Sequence, residues 1–206
     1  NQEVIAYIKE CLVHYMDMGV DFFKLDFLYA AALPEYENKT RCMVQDAAYQ
    51  LLRDILGDRL ILGCGANIIN SYEHFDYLRV GPDVSLEFDD VFYMRLFHRE
   101  RVSTKVTIQN TIYRSFMNNH LFGNDPDVFL LRDENIKLTL PQREALSKIN
   151  ALFGSVLMTS DDIANYDDTK KKLLQETFEI FENAHNRRYI TKGNLIHISY
   201  ELNGEL

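Results

Sequence analysis

The stretch Asp21-Phe-Phe-Lys-Leu-Asp-Phe27 decides the fold class of this 206-residue chain. It is a short, nearly continuous apolar run with two charges in its C-terminal half, which is typical of a buried parallel strand. An amphipathic helical pattern over residues 4–16 precedes it and stops at Gly19, as a C-terminal cap would. A second helical pattern, over residues 43–55, follows it. This alternation predicts an α/β fold with a parallel sheet.

The alternation continues along the chain and sets the predicted domain plan. Further strands are predicted at 60–64, 77–80, 128–131 and 155–158, and further helices at 89–117, 139–154 and 168–184. Thr139 and Gln142 have capping-box spacing at the start of the helix over 139–154. After residue 186 the period changes to that of a hairpin. We therefore predict a parallel α/β unit over 1–186 and the beginning of an antiparallel β domain over 187–206.

Composition excludes several classes of function. The formal net charge is −9, which argues against binding to nucleic acid or to an anionic membrane surface. No apolar run approaches the ~20 residues needed to span a bilayer. The first residues do not resemble a signal peptide. The three cysteines are widely spaced and form no CxxC, so we expect a reducing compartment and a cytoplasmic location.

Polar side chains gather where the predicted strands end. They comprise Lys24 and Asp26 at the first strand, Cys64 at the second, Arg79 and Asp83 at the third, Asn124, Asp125 and Asp127 around the fourth, and Asp161 and Asp162 after the fifth. In a (β/α)₈ barrel all strand C-termini face one mouth, which carries the active site. A doubly wound sheet would also bind ligands there, but no GxGxxG or GxxxxGK[ST] motif follows any strand.

Carboxylates at such a mouth, without a basic phosphate clamp, suit sugar chemistry. A glycosidase needs one carboxylate to attack or to activate water and a second to protonate the leaving oxygen. Asp26 and Asp83 are the best pair. We expect Asp26 to be buried at an apolar strand end, with Lys24 keeping it ionised. In a retaining enzyme the two carboxyl groups would lie about 5–5.5 Å apart.

Five motifs carry a resemblance to a known family. In chain order they are Phe-Phe-Lys-Leu-Asp-Phe, Leu-Gly-Cys-Gly-Ala, Leu-Arg-Val-Gly-Pro-Asp-Val, Gly-Asn-Asp-Pro-Asp-Val-Phe-Leu-Leu-Arg and Met-Thr-Ser-Asp-Asp, over about residues 21–162. Together they resemble the microbial α-galactosidases, the melibiase family of retaining α-glycosidases in clan D. The chain departs from many relatives at Asn67-Ile-Ile-Asn70, where they continue with proline, which leaves the aglycone preference open.

The resemblance implies a fold and a set of roles. The fold is the C-terminal half of a (β/α)₈ TIM barrel, strands 4 to 8, followed by the start of an antiparallel β domain. Asp26 would be the nucleophile and Asp83 the acid/base. The predicted sugar contacts are Lys24, Cys64, Arg79 and Asp161. The implied activity is hydrolysis of terminal α-galactosides of the melibiose and raffinose type, without a metal or other cofactor.

Structural alternatives stand beside these roles. Lys24 and Asp26 would otherwise form an ion pair at a strand end, Asp83 would be a turn residue, and Cys64 a small core residue. Asp161 would cap the following segment. The pair Asp125 and Asp127 resembles a D-x-D metal clamp, but a lone D-x-D is weak evidence. The Asn124-Asp125-Pro126-Asp127 motif has no assigned role.

Three alternative functions also remain: another α-glycosidase on the same scaffold, a transglycosylase, and a fragment that only binds carbohydrate. The predicted strands number five, whereas a closed barrel needs eight. We therefore expect the 206-residue chain alone to be inactive, and either to associate with itself or to require a missing N-terminal half of the same polypeptide.

Overall fold

The computed structural model of the chain describes residues 2–33, 38–89, 91, 92, 96 and 102–205. It divides into two compact units. The first comprises Asn1–Arg79 with His120–Gly123, and the second Val80–Asn119 with Asn124–Leu206.

The first unit alternates helices and strands, as its sequence pattern predicts. In chain order its elements are α1 (Gln2–Asp17), β1 (Phe22–Leu25), a 3₁₀ turn (Leu28–Ala32), α2 (Arg41–Leu56), β2 (Leu60–Gly63), α3 (Ile68–Ser71) and β3 (Tyr77–Arg79). The Thr40 hydroxyl accepts from the Met43 N–H at 3.2 Å and caps α2. The helix ends at Gly57, whose φ of 59° lies in the left-handed region.

The strands of the first unit form a parallel sheet. β1 pairs with β2 and β2 pairs with β3, with Leu25 opposite Gly63 and Gly63 opposite Leu78. Ile61, Leu62 and Leu78 are fully buried, as expected for parallel strands that are covered on both faces. The predicted α/β class with a parallel sheet is confirmed.

The second unit contains the remaining elements. They are α4 (Thr104–Tyr113), a 3₁₀ turn (Ser115–Met117), β4 (Gly123–Asp125, whose first residue belongs to the first unit), β5 (Val128–Phe129), α5 (Leu140–Phe153), β6 (Met158–Thr159), a 3₁₀ turn (Ile163–Asn165), α6 (Asp168–Asn183), β7 (His185–Lys192) and β8 (Leu195–Glu201). The Thr139 N–H donates to Gln142 Oε1 at 2.9 Å, which confirms the predicted capping box of α5.

The strands of this unit pair in two ways. β5 and β6 are parallel, with Val128 opposite Met158. β7 and β8 form the predicted antiparallel hairpin. Ile196 and Ile198 of that hairpin pack against the apolar core that α4, α5 and α6 share. The boundary of a separate β domain at residue 187 stays a prediction.

One strand of the structure lies outside the predicted strands. Residues 123–125 form a strand of their own, whereas the fourth strand was predicted at 128–131. Pro126, which lacks an N–H, and Asp127, with φ of 73°, separate β4 from β5 and leave β5 only two residues long. Residues 89–117, predicted as one broken or two successive helices, lie partly outside the described residues, and their described part includes α4 and the 3₁₀ turn that follows it.

Candidate active site

Three predicted site residues form a row at the carboxyl end of the parallel sheet. Leu25, Gly63 and Leu78 lie opposite one another on β1, β2 and β3. Asp26, Cys64 and Arg79 each follow one residue later. The first unit therefore brings these three residues to one sheet edge, where α/β proteins bind ligands.

The turn that carries Asp26 is fixed by the backbone of Cys64. The Cys64 N–H donates to the Leu25 carbonyl at 2.8 Å, and its carbonyl accepts from the Leu28 N–H at 3.2 Å. Inside the turn, the Phe27 N–H donates to Asp26 Oδ1 at 2.7 Å, and Phe27 adopts a left-handed φ of 55°. Such a φ is uncommon for a bulky residue and is held here by the bonds on either side.

Gly65 lies against the Tyr29 ring and the Phe27 backbone beside this turn. Its φ is +62°, and a Cβ there would lie 3.0 Å from the Tyr29 ring and 3.5 Å from Phe27 Cα. The Phe27 and Tyr29 rings meet edge to face with centroids 6.1 Å apart, and both are exposed. Both rings follow Asp26 within three residues and present exposed apolar surface.

The expected burial of Asp26 is wrong. The carboxylate is exposed, because β1 ends at Leu25 and Asp26 lies in the turn that follows the strand. Lys24 is also exposed, and among the described residues no ion pair within 4.0 Å joins it to Asp26. The structural alternative, an ion pair at a strand end, therefore has no support in this part of the chain.

Asp83 lies on a loop that α4 holds through two threonine hydroxyls. Thr107 Oγ1 donates to the Pro82 carbonyl at 2.8 Å, and the Asp83 carbonyl lies 3.3 Å from the same hydroxyl. Thr104 Oγ1 donates to the Ser85 carbonyl at 2.7 Å and lies 3.1 Å from the Ser85 N–H. The Asp83 side chain is exposed while its backbone is fixed.

These threonines were missed by the sequence analysis. Ser103, Thr104, Thr107 and Thr111 are all fully buried on α4. The available signal was a run of small hydroxyl residues at helical spacing, beside the apolar pair Ile108 and Ile112. It indicates a helix face that binds polar backbone and not a hydrophobic core.

The Asp161 carboxylate is held by hydrogen bonds inside the protein. Its side chain is fully buried, and Oδ2 accepts from the Leu131 N–H at 2.5 Å, the Arg132 N–H at 2.9 Å and the Tyr166 hydroxyl at 2.7 Å. The Arg132 guanidinium lies 3.1 Å from Oδ1. Burial, followed by the hydrogen bond to Asp161, raises the pKa of the Tyr166 phenol well above its ordinary value of 10. This geometry gives Asp161 a structural role, but not the predicted cap of the following segment, because Asp162 caps that segment. The sugar contact of Asp161 stays a prediction from resemblance.

The described residues form neither a membrane-spanning helix nor a cluster of metal ligands. No helix among them is long and apolar enough to cross a bilayer. Among the same residues, no group of three or more His, Cys, Asp or Glu side chains is arranged to hold a metal ion.

Solved structures of glycosidases resemble this chain. An α-galactosidase from Thermus thermophilus, in complex with p-nitrophenyl α-D-galactopyranoside, matches all of the chain with a TM-score of 0.75 and 26% identity. The same enzyme in complex with stachyose matches 86% of the chain with a TM-score of 0.68 and 28% identity. No known family model matches the sequence.

Two more distant enzymes share the fold. α-Galactosidase I from Mortierella vinacea matches 92% of the chain with a TM-score of 0.69 and 16% identity, over 51% of its own length. A β-L-arabinopyranosidase from Geobacillus stearothermophilus matches 97% with a TM-score of 0.68 and 15% identity, over 47% of its own length.

The solved structures that this chain resembles are glycoside hydrolases, the class of enzyme that its motif order predicted. Two of them, at 26% and 28% identity, are structures of an α-galactosidase, which confirms the predicted resemblance to that family. The chain spans 40% of the length of the Thermus enzyme in one comparison and 38% in the other.

Proposed function

We propose that the protein hydrolyses terminal α-galactosides of the melibiose and raffinose type with net retention. The observation that carries this proposal is the row of Asp26, Cys64 and Arg79 at the carboxyl edge of the parallel sheet. An exposed carboxylate in that row, on a turn fixed by its neighbouring strand, is suited to attack a sugar. The 26–28% identity to an α-galactosidase supports the choice of glycoside.

The mechanism proposed is a double displacement. The Asp26 carboxylate attacks the anomeric carbon while protonated Asp83 gives its proton to the leaving glycosidic oxygen, which forms a covalent galactosyl-enzyme. Asp83, now a carboxylate, takes a proton from water. The resulting oxygen attacks the anomeric carbon and releases Asp26. Lys24, Cys64 and Arg79 are proposed as sugar contacts.

The assignment of the strands to a barrel and to a following β domain is part of the same proposal. The parallel α/β part corresponds to strands 4 to 8 of a (β/α)₈ barrel, and the hairpin β7–β8 begins an antiparallel β domain. The likeness to barrel enzymes supports this proposal. The cytoplasmic location remains a prediction from the cysteine content.

The test is turnover of chromogenic glycosides by the protein as its gene encodes it. We expect release of nitrophenol from the p-nitrophenyl α-galactoside, and much slower release from the matching α-glucoside and N-acetyl-α-galactosaminide. Proton NMR of the first-formed sugar should show α-galactose before mutarotation. Preferred turnover of another glycoside would reassign the substrate, and β-galactose as first product would refute the retaining mechanism.

A further inference from the structure

The Asn124-Asp125-Pro126-Asp127 motif, which the sequence analysis left without a role, bonds directly to the loop of Asp83. Asp127 Oδ2 accepts the Val84 N–H at 2.6 Å. Val84 is the residue next to Asp83, so this bond fixes the backbone on the C-terminal side of the proposed acid/base. A short N–H bond to a carboxylate is stronger than one to a neutral acceptor.

Asp127 is itself held firmly. Its side chain is buried, with 7% of the residue exposed, and its N–H donates to Asp125 Oδ1 at 2.8 Å. Asn150 Nδ2 of α5 donates to its carbonyl at 3.0 Å. Its φ of 73° lies in the left-handed region, which aspartate tolerates better than most residues. The carboxylate is therefore presented from a rigid position.

The Asp83 loop has no regular structure and depends on such contacts. Pro82 supplies no N–H, and Thr104 and Thr107 satisfy carbonyls on either side with neutral hydroxyls. The Val84 side chain packs against the core cluster that contains Phe129 and Leu131. Asp127 adds a charged acceptor to this set of contacts. Removing it would leave the Val84 N–H without that acceptor and let the adjoining Asp83 change direction.

We infer that Asp127 is a positioning residue for the acid/base Asp83. It fixes the orientation of Asp83 by accepting the N–H of the next residue, Val84. This inference rests on the proposed function, because positioning matters only if Asp83 protonates a leaving group. Asp127 does not itself touch the sugar in this role. Its effect is on the step that needs the proton, and not on attack by Asp26.

The predicted signature is a dependence on the leaving group. p-Nitrophenol leaves readily without a proton, whereas the sugar released from melibiose needs one. Asp127→Ala should therefore lower kcat/KM, which reports the first step, on melibiose by at least about tenfold more than on p-nitrophenyl α-galactoside, since general acid catalysis contributes roughly 10²–10⁴-fold. Asp127→Asn retains an oxygen acceptor and should recover part of the loss.

The experiment compares these variants with Asp167→Ala in the protein as its gene encodes it. Asp167 also accepts a backbone N–H, that of Lys170 at 2.8 Å, but at the start of α6. This control should change both substrates equally. An equal loss on both substrates for Asp127→Ala would overturn the inference, because it would indicate a general defect of folding.

A second readout does not depend on activity. In ¹⁵N–¹H spectra, Asp127→Ala should shift the Val84 amide upfield and increase its exchange with solvent, while Asp167→Ala leaves it unchanged. An unperturbed Val84 amide would overturn the inference. If the wild-type protein hydrolysed no α-galactoside, the proposed function would fail, whereas a perturbed Val84 amide would still establish the contact.

Discussion

The backbone N–H of Cys64 donates a hydrogen bond to the carbonyl of Leu25 at 2.8 Å, one residue before Asp26. The Cys64 carbonyl then accepts from the Leu28 N–H, so the residue that directly follows β2 binds the chain on both sides of Asp26. The direction of Asp26 is therefore set by a neighbouring strand and not by its own. Cys64 is buried, and its backbone contributes to the site whether or not its thiol contacts sugar.

Replacing the proposed nucleophile should abolish turnover. Asp26→Ala removes the group that forms the covalent bond to the anomeric carbon, so hydrolysis of p-nitrophenyl α-galactoside should fall to background. Added azide should occupy the vacated space and yield a galactosyl azide of inverted configuration, detectable by NMR. Asp58→Ala is the matched control, because Asp58 is an exposed carboxylate just before β2, at the opposite end of the strand. Full activity of Asp26→Ala would exclude it as nucleophile.

Replacing the proposed acid/base should affect substrates unequally. Asp83→Ala should lower kcat on melibiose by about 10²–10⁴-fold. With p-nitrophenyl α-galactoside, the first step, which releases nitrophenol, should slow far less, since only the poor leaving group needs the proton. A burst of nitrophenol should precede slow turnover, because water attack then lacks its base. Stopped-flow absorbance measures both phases. Equal losses on the two substrates would contradict the assignment.

Gly65 should tolerate no side chain, because space and backbone both oppose it. Gly65→Ala meets a φ of +62° and the Tyr29 ring at 3.0 Å, whereas Gly19→Ala, just after α1, meets a positive φ of +87° in open space. The left-handed backbone should cost each variant about 1 kcal/mol of unfolding free energy. Contact with the ring should add about 1–3 kcal/mol for Gly65→Ala alone.

Urea denaturation of the two glycine variants measures that difference directly. Equal destabilisation would mean that the ring of Tyr29 moves aside without cost. Activity provides a second check, since displacement of Tyr29 and Phe27 would disturb the turn of Asp26, whereas Gly19→Ala should leave kcat unchanged.

Asp161 should prove essential for stability. Asp161→Asn removes the charge facing the Arg132 guanidinium from a fully buried site and should lower the unfolding free energy by about 3 kcal/mol. Asp162→Asn, an exposed neighbour that accepts the Ala164 N–H at 3.1 Å, should cost about 1 kcal/mol or less. Chemical denaturation of the two variants separates these outcomes, and similar small losses would contradict the structural role of Asp161.

The Tyr166 phenol should make the fold sensitive to alkali. Its pKa is raised in the folded state, by burial and then by the Asp161 hydrogen bond. The folded state therefore binds the proton more tightly, so the stabilisation is complete below the unfolded pKa of about 10 and is lost as pH rises above it. Unfolding followed at increasing pH should show this loss, and Tyr166→Phe should reduce it. An unchanged alkaline limb in Tyr166→Phe would contradict the prediction.

The α/β class, several helix ends and the positions of the site motifs could all be predicted from the amino-acid sequence. Local physical chemistry explains this success. Gly57 and the Thr139–Gln142 capping box act over a few residues, and buried parallel strands need near-continuous apolar runs. The motifs around Asp26 and Asp83 likewise combine charge with apolar strand or turn residues within a few positions.

The exposure of the site carboxylates, and the distant backbone groups that they bind, became visible only in the tertiary structure. Asp26 follows an apolar strand like a buried residue, yet it is exposed in a turn whose backbone is bound by Cys64, almost forty positions away. Asp161 and Asp127 look alike in sequence, but the first binds Leu131 and Arg132 while the second binds Val84. Hydrogen bonds between distant segments carry no periodic signal, so they become visible only when the strands and helices are packed together.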